Sequence, residues 1–597
     1  MPDRQHTFGQ FETPPDVADL LLGFCLRRPS DRLLDPSCGT GAFLRRAARW
    51  QEWLSDDPAR LAGDTLWGIE LDNDLADAAR QALPRAQVLA QNFFTLEADR
   101  LRPFDAIIGN PPYTRAEWIG RLHRESGEQM AFGWVSGLGR NTPEPPASHL
   151  QHRLIPRHLW QQLGRRSGLH AYFFLHSVHF LHEGGRLGFV VPNGWLDVAY
   201  GRQLKQFLLD HYRIIAVIES VVERWFRQAR VNTCLIVLEK CSGPARRASN
   251  LVRLVRLKRP LRELIPCDQD DRLRPVTVER LATRLLPPSN RRSADYAVRV
   301  VPQGELSARE KWGLALRAPT VYRRKLAQSA MLPLKNWASV QRGFTTGANA
   351  FFYLDQEAIE MWGIEPEFRR PLLKSLRDVQ QARLTAAECR HELLWVDPTT
   401  DLGGTAAAEY IAWGQTQGFH LRRTCAARHP WYTLPDQLPA QLILPKGIWK
   451  RHFTPLLSES LLVDQQLYRI SLAAGVSPLA AAALLNSSWF AMQCELHGRV
   501  NFGEGVLWLA AYEVADILLP DPRHLPSAQV KELEQTFAPL AARPITDVMT
   551  ELTRPDRQAL DAVVFDILKL DGIERSAVLD ALRERVETRQ LRARNAG

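Results

Sequence analysis

The chain has 597 residues, of which 45% are hydrophobic and 24% charged. That length exceeds one ordinary core and implies two to four domains, at roughly 100–200 residues each. No window reaches the about 18 uninterrupted apolar residues that a membrane helix needs, and the polar opening MPDRQHTFGQFETPP has no apolar stretch of a secretion signal. Eight cysteines are scattered singly, with no CxxC pair, which argues against a structural zinc site and a disulfide framework and for reduced thiols in a cytoplasmic protein. Seventy-six Lys and Arg against 66 Asp and Glu leave a net charge of +10. This balance suits a polyanionic partner, because Lys and Arg displace counterions from phosphates.

Residues 1–245 alternate strand-like and helical patterns, as in a doubly wound α/β sheet. Strands are predicted at 32–35, 66–70, 86–89, 104–108, 186–191 and 233–238, with helices at 15–25, 41–50, 74–83 and 170–181. Residues 246–330 are Arg- and Pro-rich and read as a connecting region, although Leu251 to Arg262 is strand-like. Residues 331–522 are aromatic and Gly/Pro-punctuated, the text of a mixed α/β domain of short elements. Residues 523–597 read as a helical tail, and their Arg-rich end is a candidate for disorder.

Two stretches carry chemistry. Asp35-Pro36-Ser37-Cys38-Gly39-Thr40-Gly41 follows an apolar strand and opens a helix. Its glycines permit a tight turn and close ligand approach, and the helix start offers free N–H groups. Glu70 ends the next strand, where a carboxylate can accept both hydroxyls of a ribose. No GKS or GKT and no full GxGxxG is present, so a phosphate-binding loop is a poor reading. The second stretch, Phe104 to Gly109 and then Asn110-Pro111-Pro112-Tyr113, ends an apolar strand in an amide, two prolines and an aromatic. The Asn110 side-chain oxygen and the Pro111 carbonyl can each accept one hydrogen of an exocyclic amine. That aims its lone pair at an electrophile without a strong base, while Tyr113 stacks on the ring.

These motifs resemble those of the gamma-class DNA adenine-N6 methyltransferases of type II restriction–modification systems. The resemblance covers residues 8–240 with specific motifs and 335–520 with looser ones. It implies a Rossmann-like domain binding S-adenosyl-L-methionine, with no metal, followed by a target-recognition domain. Thr13-Pro14 matches the motif that holds the methionine carboxylate. Asp35, Pro36, Cys38, Gly39, Gly41 and Glu70 match the remaining cofactor contacts. Asn92-Phe93 stands where the family has an acid and a large apolar residue at the cofactor adenine, a departure that leaves an amide oxygen as acceptor. Phe226, with Trp225 as rival, falls in the loop whose aromatic stacks on a flipped base; a base within a duplex cannot reach the pocket otherwise.

The implied partner is double-stranded DNA, with no membrane. Arg342-Gly343-Phe344 resembles the entry to the recognition domain and Asn486-Ser487-Ser488-Trp489 its end; Arg342, Lys446, Lys450 and Arg451 are candidate DNA contacts. The first motif leaves no room upstream for a nuclease domain, so cleavage is expected in a separate restriction endonuclease or other defence protein. The NPPY tetrapeptide also occurs in methyltransferases of RNA adenine and protein glutamine. A partner-dependent DNA-binding protein with a degenerate fold is the non-enzymatic alternative.

Overall fold

A computed structural model describes residues 12–57, 64–113, 157–163, 167–198, 200–226, 232–266, 273–327, 331–437, 439–500 and 505–594. The chain divides into two compact units, Met1–Arg317 with Leu591–Gly597, and Ala318–Gln590. Among the described residues no helix is long and apolar enough to cross a membrane.

The first unit is an α/β sheet. Its strands are β1 (Leu33–Asp35), β2 (Leu66–Glu70), β3 (Gln87–Ala90), β4 (Phe104–Gly109), β5 (Leu181–Pro192), β6 (Tyr212–Ser220), β7 (Thr233–Lys240), β8 (Leu251–Leu257), β9 (Arg291–Arg292) and β10 (Tyr296–Pro302). They lie in the order β3-β2-β1-β4-β5-β7-β6-β8-β10-β9. The five from β3 to β5 are parallel, and β7 runs antiparallel to both its neighbours. Helices α1 (Pro15–Cys25), α2 (Ala42–Leu54), α3 (Asn73–Ala82), α4 (Leu169–Ser177), α5 (Gly201–His211) and α6 (Arg274–Arg284) accompany them. Both faces are covered, which is why the central strands read as continuous apolar runs. Along β7, Leu235 and Val237 enter the core with α1, α2 and α6, while Cys234, Ile236 and Leu238 enter the core with α4 and α5.

The stretch read as a connection supplies three strands. In β8 the apolar positions enter the two cores, and the intervening Arg253 is satisfied locally by the carbonyls of Leu251 and Pro287. An arginine-rich strand thus stays a strand when its cations find backbone acceptors. Strand β6 and helices α5 and α6 were likewise not singled out from sequence.

Helix α1 is buried on all sides, and Asp19 within it is fully buried. Its carboxylate is gripped by Arg274 at 2.6 Å from α6 and by Arg46 at 2.7 Å from α2. Arg274 also pairs with Asp16 and donates to the Ile265 carbonyl. A buried carboxylate is costly unless paired, so this cluster fixes where α1 sits.

In the second unit, one five-stranded sheet runs in the order Ala338–Arg342, Leu467–Leu472, Leu442–Pro445, Leu456–Leu457, Arg383–Leu384. A four-stranded sheet packs an aromatic core in which Phe351 stacks on Tyr410 at 5.0 Å and Trp413 on Tyr410 at 5.2 Å. Helices α7 (Pro478–Leu485), α8 (Ser488–His497), α9 (Ser527–Ala541) and α10 (Pro555–Ile567) follow, and α11 spans Gly572–Arg594. The Arg-rich end considered for disorder is helical as far as Arg594. Val578, Leu582 and Val586 recur every fourth residue and are all buried, which gives the charged text an apolar stripe.

Replacing Arg274 by Ala leaves Asp19 with one partner in place of two. The expected loss, read from urea unfolding, is about 3 kcal/mol; an unchanged midpoint would show that Arg46 alone carries the carboxylate.

Candidate functional site

In parallel strands the loops at the carboxyl ends gather on one edge, and both motifs emerge there from the neighbours β1 and β4. After β1 the backbone turns through two left-handed glycines, Gly39 with φ 52° and Gly41 with φ 83°. Gly41 then leads into α2. A Cβ on Gly39 would meet nothing within 4 Å, so its conformation, and not crowding, calls for glycine. Gly68 in β2 is different: a Cβ there would lie 2.7 Å from Leu44 Cδ1 and 2.8 Å from Cys38 Sγ.

Glu70 organises this loop. Its carboxylate accepts the Gly39 N–H at 2.8 Å and those of Leu71 and Asp72 at 2.9 and 3.0 Å. The Cys38 N–H donates to the Ile69 carbonyl at 2.9 Å. Burial pushes the Glu70 carboxyl upward, opposed by those three N–H groups. Asp35 is 1% exposed and accepts from the Ser37 N–H at 3.1 Å. Burial pushes it up to about 8, with the Glu70 charge adding to the effect. Thr13 is buried, and the Pro14 carbonyl accepts the N–H groups of Val17 and Ala18 as α1 begins.

Asn92 and Phe93 stand just after β3. The Asn92 side-chain oxygen caps a short turn by accepting the Phe94 N–H at 3.0 Å. Phe93 is 3% exposed, stacked on Phe173 at 5.5 Å and edge-on to His176 at 4.7 Å. Its ring therefore belongs to the core beneath the sheet.

The second motif lies against the first. A Cβ on Gly109 would fall 3.0 Å from Asp35 Oδ1 and 3.2 Å from Pro36 Cδ, so the missing side chain allows the contact. The Ser37 hydroxyl donates to the Asn110 carbonyl at 3.5 Å. Pro111 is buried, and Asn110, Pro112 and Tyr113 are half-buried. Tyr113 meets Phe226 edge to face, with ring centroids 6.1 Å apart and planes at 87°. The rival Trp225 donates its indole N–H to Glu223 at 3.1 Å, and Glu223 also accepts the Leu261 N–H. The rest of that loop, 227–231, lies outside the described residues.

A polar notch beside this loop is lined by Asn193, Glu219, Glu223, Arg224, Trp225 and Asn232. Asn193 donates to Glu219 at 2.8 Å, and Arg317 grips Glu219 and Asp197 at 2.6 Å each. Sequence reasoning missed this group. Its one signal was Pro192-Asn193, an amide at a strand end in the position that Asn110 holds after β4.

Among the candidate DNA contacts, Arg342 and Lys450 are exposed and Lys446 is half-buried. The Arg451 guanidinium is engaged by the carbonyls of Val379, Leu376 and Arg377, which makes it part of the fold.

The folded protein keeps the Asp35 proton up to about pH 8, whereas an exposed Asp loses it near about pH 4. Asp35 therefore makes folding stability fall as pH rises from about 4 to about 8. In ligand-free Asp35→Asn, the decline between pH 5 and pH 8 should be shallower than in wild type when measured by denaturant unfolding; equal declines would show that Asp35 ionises freely.

Against known proteins, the N-6 DNA Methylase family matches residues 2–255. The C-terminal domain of the Type II methyltransferase M.Eco57I matches residues 311–552. The Type II methyltransferase M.AccI of Acinetobacter calcoaceticus is 21% identical over 452 residues, covering 74% of this chain and 71% of that protein. M.XamI of Xanthomonas campestris pv. amaranthicola is 23% identical over 447 residues, covering 73% and 71%. Among solved structures, the type IIL restriction-modification enzyme MmeI in complex with DNA aligns with a TM-score of 0.56 at 15% identity, covering 96% of this chain and 75% of that one. That is a likeness of fold. With its glycine loop and its Asn-Pro-Pro-Tyr motif on adjacent strands, the segment 2–255 belongs to the N-6 DNA methylase family.

Proposed function

We propose that the protein transfers a methyl group from S-adenosyl-L-methionine to the N6 amine of an adenine flipped out of duplex DNA. We further propose that it is a gamma-class enzyme of a restriction–modification system. The observation that carries the reading is the contact at Gly109, which brings Asn110 beside the loop opened by Asp35. A cofactor site and an amine-polarising site then share one opening.

The residues fit the cofactor. The space beside Gly39 is open, a carboxylate stands at the end of β2, and α2 presents its N-terminus there. Gly39, Gly41 and Glu70 would hold the nucleoside, and Thr13 with the start of α1 the methionine end. The cofactor supplies an electrophilic methyl on a sulfonium. Asn110 and the Pro111 carbonyl accept the two hydrogens of the amine, which draws its nitrogen towards tetrahedral geometry. Tyr113, with the buried Phe226 ring packed against it, supplies aromatic surface for the extruded base. The neighbouring Glu219 is matched by Arg317 and Asn193, which leaves positioning and not a strong base as the source of catalysis.

Incubation with labelled S-adenosyl-L-methionine and genomic DNA, RNA or protein extract tests this reading. Label in N6-methyladenine at one short DNA sequence is expected; label confined to RNA or protein overturns it. Asn110→Ala should retain cofactor binding by calorimetry and lose at least about a hundredfold in methyl transfer. Undiminished transfer would remove the polarisation argument.

A further inference from the structure

The second unit carries a cationic, aromatic ridge. Lys446 follows the strand Leu442–Pro445, and Gly447–Ile448 pairs antiparallel with Leu507–Trp508. Leu509 extends that pairing by donating its N–H to the Lys446 carbonyl at 3.1 Å. The Lys446 ammonium stands 5.6 Å over the Trp508 ring. Next along the chain Trp449 is 56% exposed, with the Lys450 ammonium 4.5 Å over its face. Arg342 is held to the Gln465 carbonyl and side chain, and its charge, after burial, draws Lys446 below the usual lysine range, with Asp464 acting the other way. Among the described residues none of these three cations is in an ion pair.

The backbone beneath this open indole is clamped. Arg589 donates to the Trp449 carbonyl at 2.6 Å and to the Ile448 carbonyl at 3.5 Å. Arg589 is itself buried against Glu495 at 2.6 Å, and Glu495 also pairs with His452 at 2.9 Å. On the other side, the Val548 N–H donates to the Lys450 carbonyl at 3.0 Å. Burial alone would raise the Glu495 carboxyl; Arg589 and His452 instead hold it down to about 2, so the clamp stays charged across the neutral range. A rigid, exposed aromatic between unpaired cations complements a surface that alternates phosphates with apolar sugar and base faces.

We propose that Lys446, Trp449 and Lys450, with Arg342 beside them, form a contact ridge for duplex DNA. The lysines meet phosphates, and the indole lies against the sugar and base surface between them. The proposal rests on the methyltransferase reading above and adds the residues that grip the substrate.

The test uses the full chain, with sheared genomic duplex DNA bound over a range of KCl, alongside cofactor titration and thermal melting. Trp449→Ala should bind duplex about tenfold more weakly, and Trp449→Phe should recover part of the loss. Lys446→Gln with Lys450→Gln should lower the slope of log affinity against log salt by about 1 to 2. Cofactor affinity and melting should match wild type in each. Variants that bind duplex as wild type does, with the same salt slope, overturn the proposal. So do variants that keep duplex binding and lose retention on polyglutamate, which would assign the ridge to an acidic protein. If wild type itself neither binds nor methylates duplex DNA, the methyltransferase reading falls first and the ridge with it.

Discussion

Two parallel strands, β1 and β4, end side by side, and at Gly109 only a hydrogen atom stands where a side chain would strike Asp35 and Pro36. That gap lets the two sequence motifs stand against each other at one edge of the sheet. An added Cβ would require the Asp35–Pro36 turn to give by a few tenths of an ångström. Gly68 has the matching role in β2, where the side chains of Leu44 and Cys38 fill the space its own would need. The edge is therefore set by van der Waals contact, whose repulsion is steep, and the polar groups inherit their positions from it.

Charge is used differently at three buried places. Asp19 with Arg46 and Arg274, Arg317 with Glu219 and Asp197, and Glu495 with Arg589 and His452 each join elements remote in sequence. Desolvation cancels much of the attraction in such clusters, so their contribution is to placement more than to net stability. Asp35 and Glu70 are the contrast: their partners are backbone N–H groups, and burial pushes both carboxyls upward.

Local signals were legible in the sequence. A strand, two glycines and a helix start, or a strand followed by Asn-Pro-Pro-Tyr, are decided within ten residues, and the α/β class follows from their alternation. Local sequence does not separate Trp225 from Phe226: Phe226 meets the Tyr113 ring from a strand end far away in sequence, and Trp225 lines the polar notch. Phe93 was assigned to the cofactor side from its position after the third strand. Whether that ring turns towards the opening or into the core depends on Phe173 and His176, which belong to α4. Strands β8 and β10 were obscured by composition, since arginines satisfied by nearby carbonyls look like linker text until the acceptors are known.

The grip of Arg274 on Asp19 spans 255 residues. Helix α1 is the first described element of the chain and borders the cofactor loop, yet half of the cationic pairing that neutralises its core carboxylate comes from α6. During synthesis the amino-terminal helix must wait until the sheet has been extended past β8 before its charge is fully matched. A chain interrupted before residue 274 would leave Asp19 with Arg46 as its guanidinium partner.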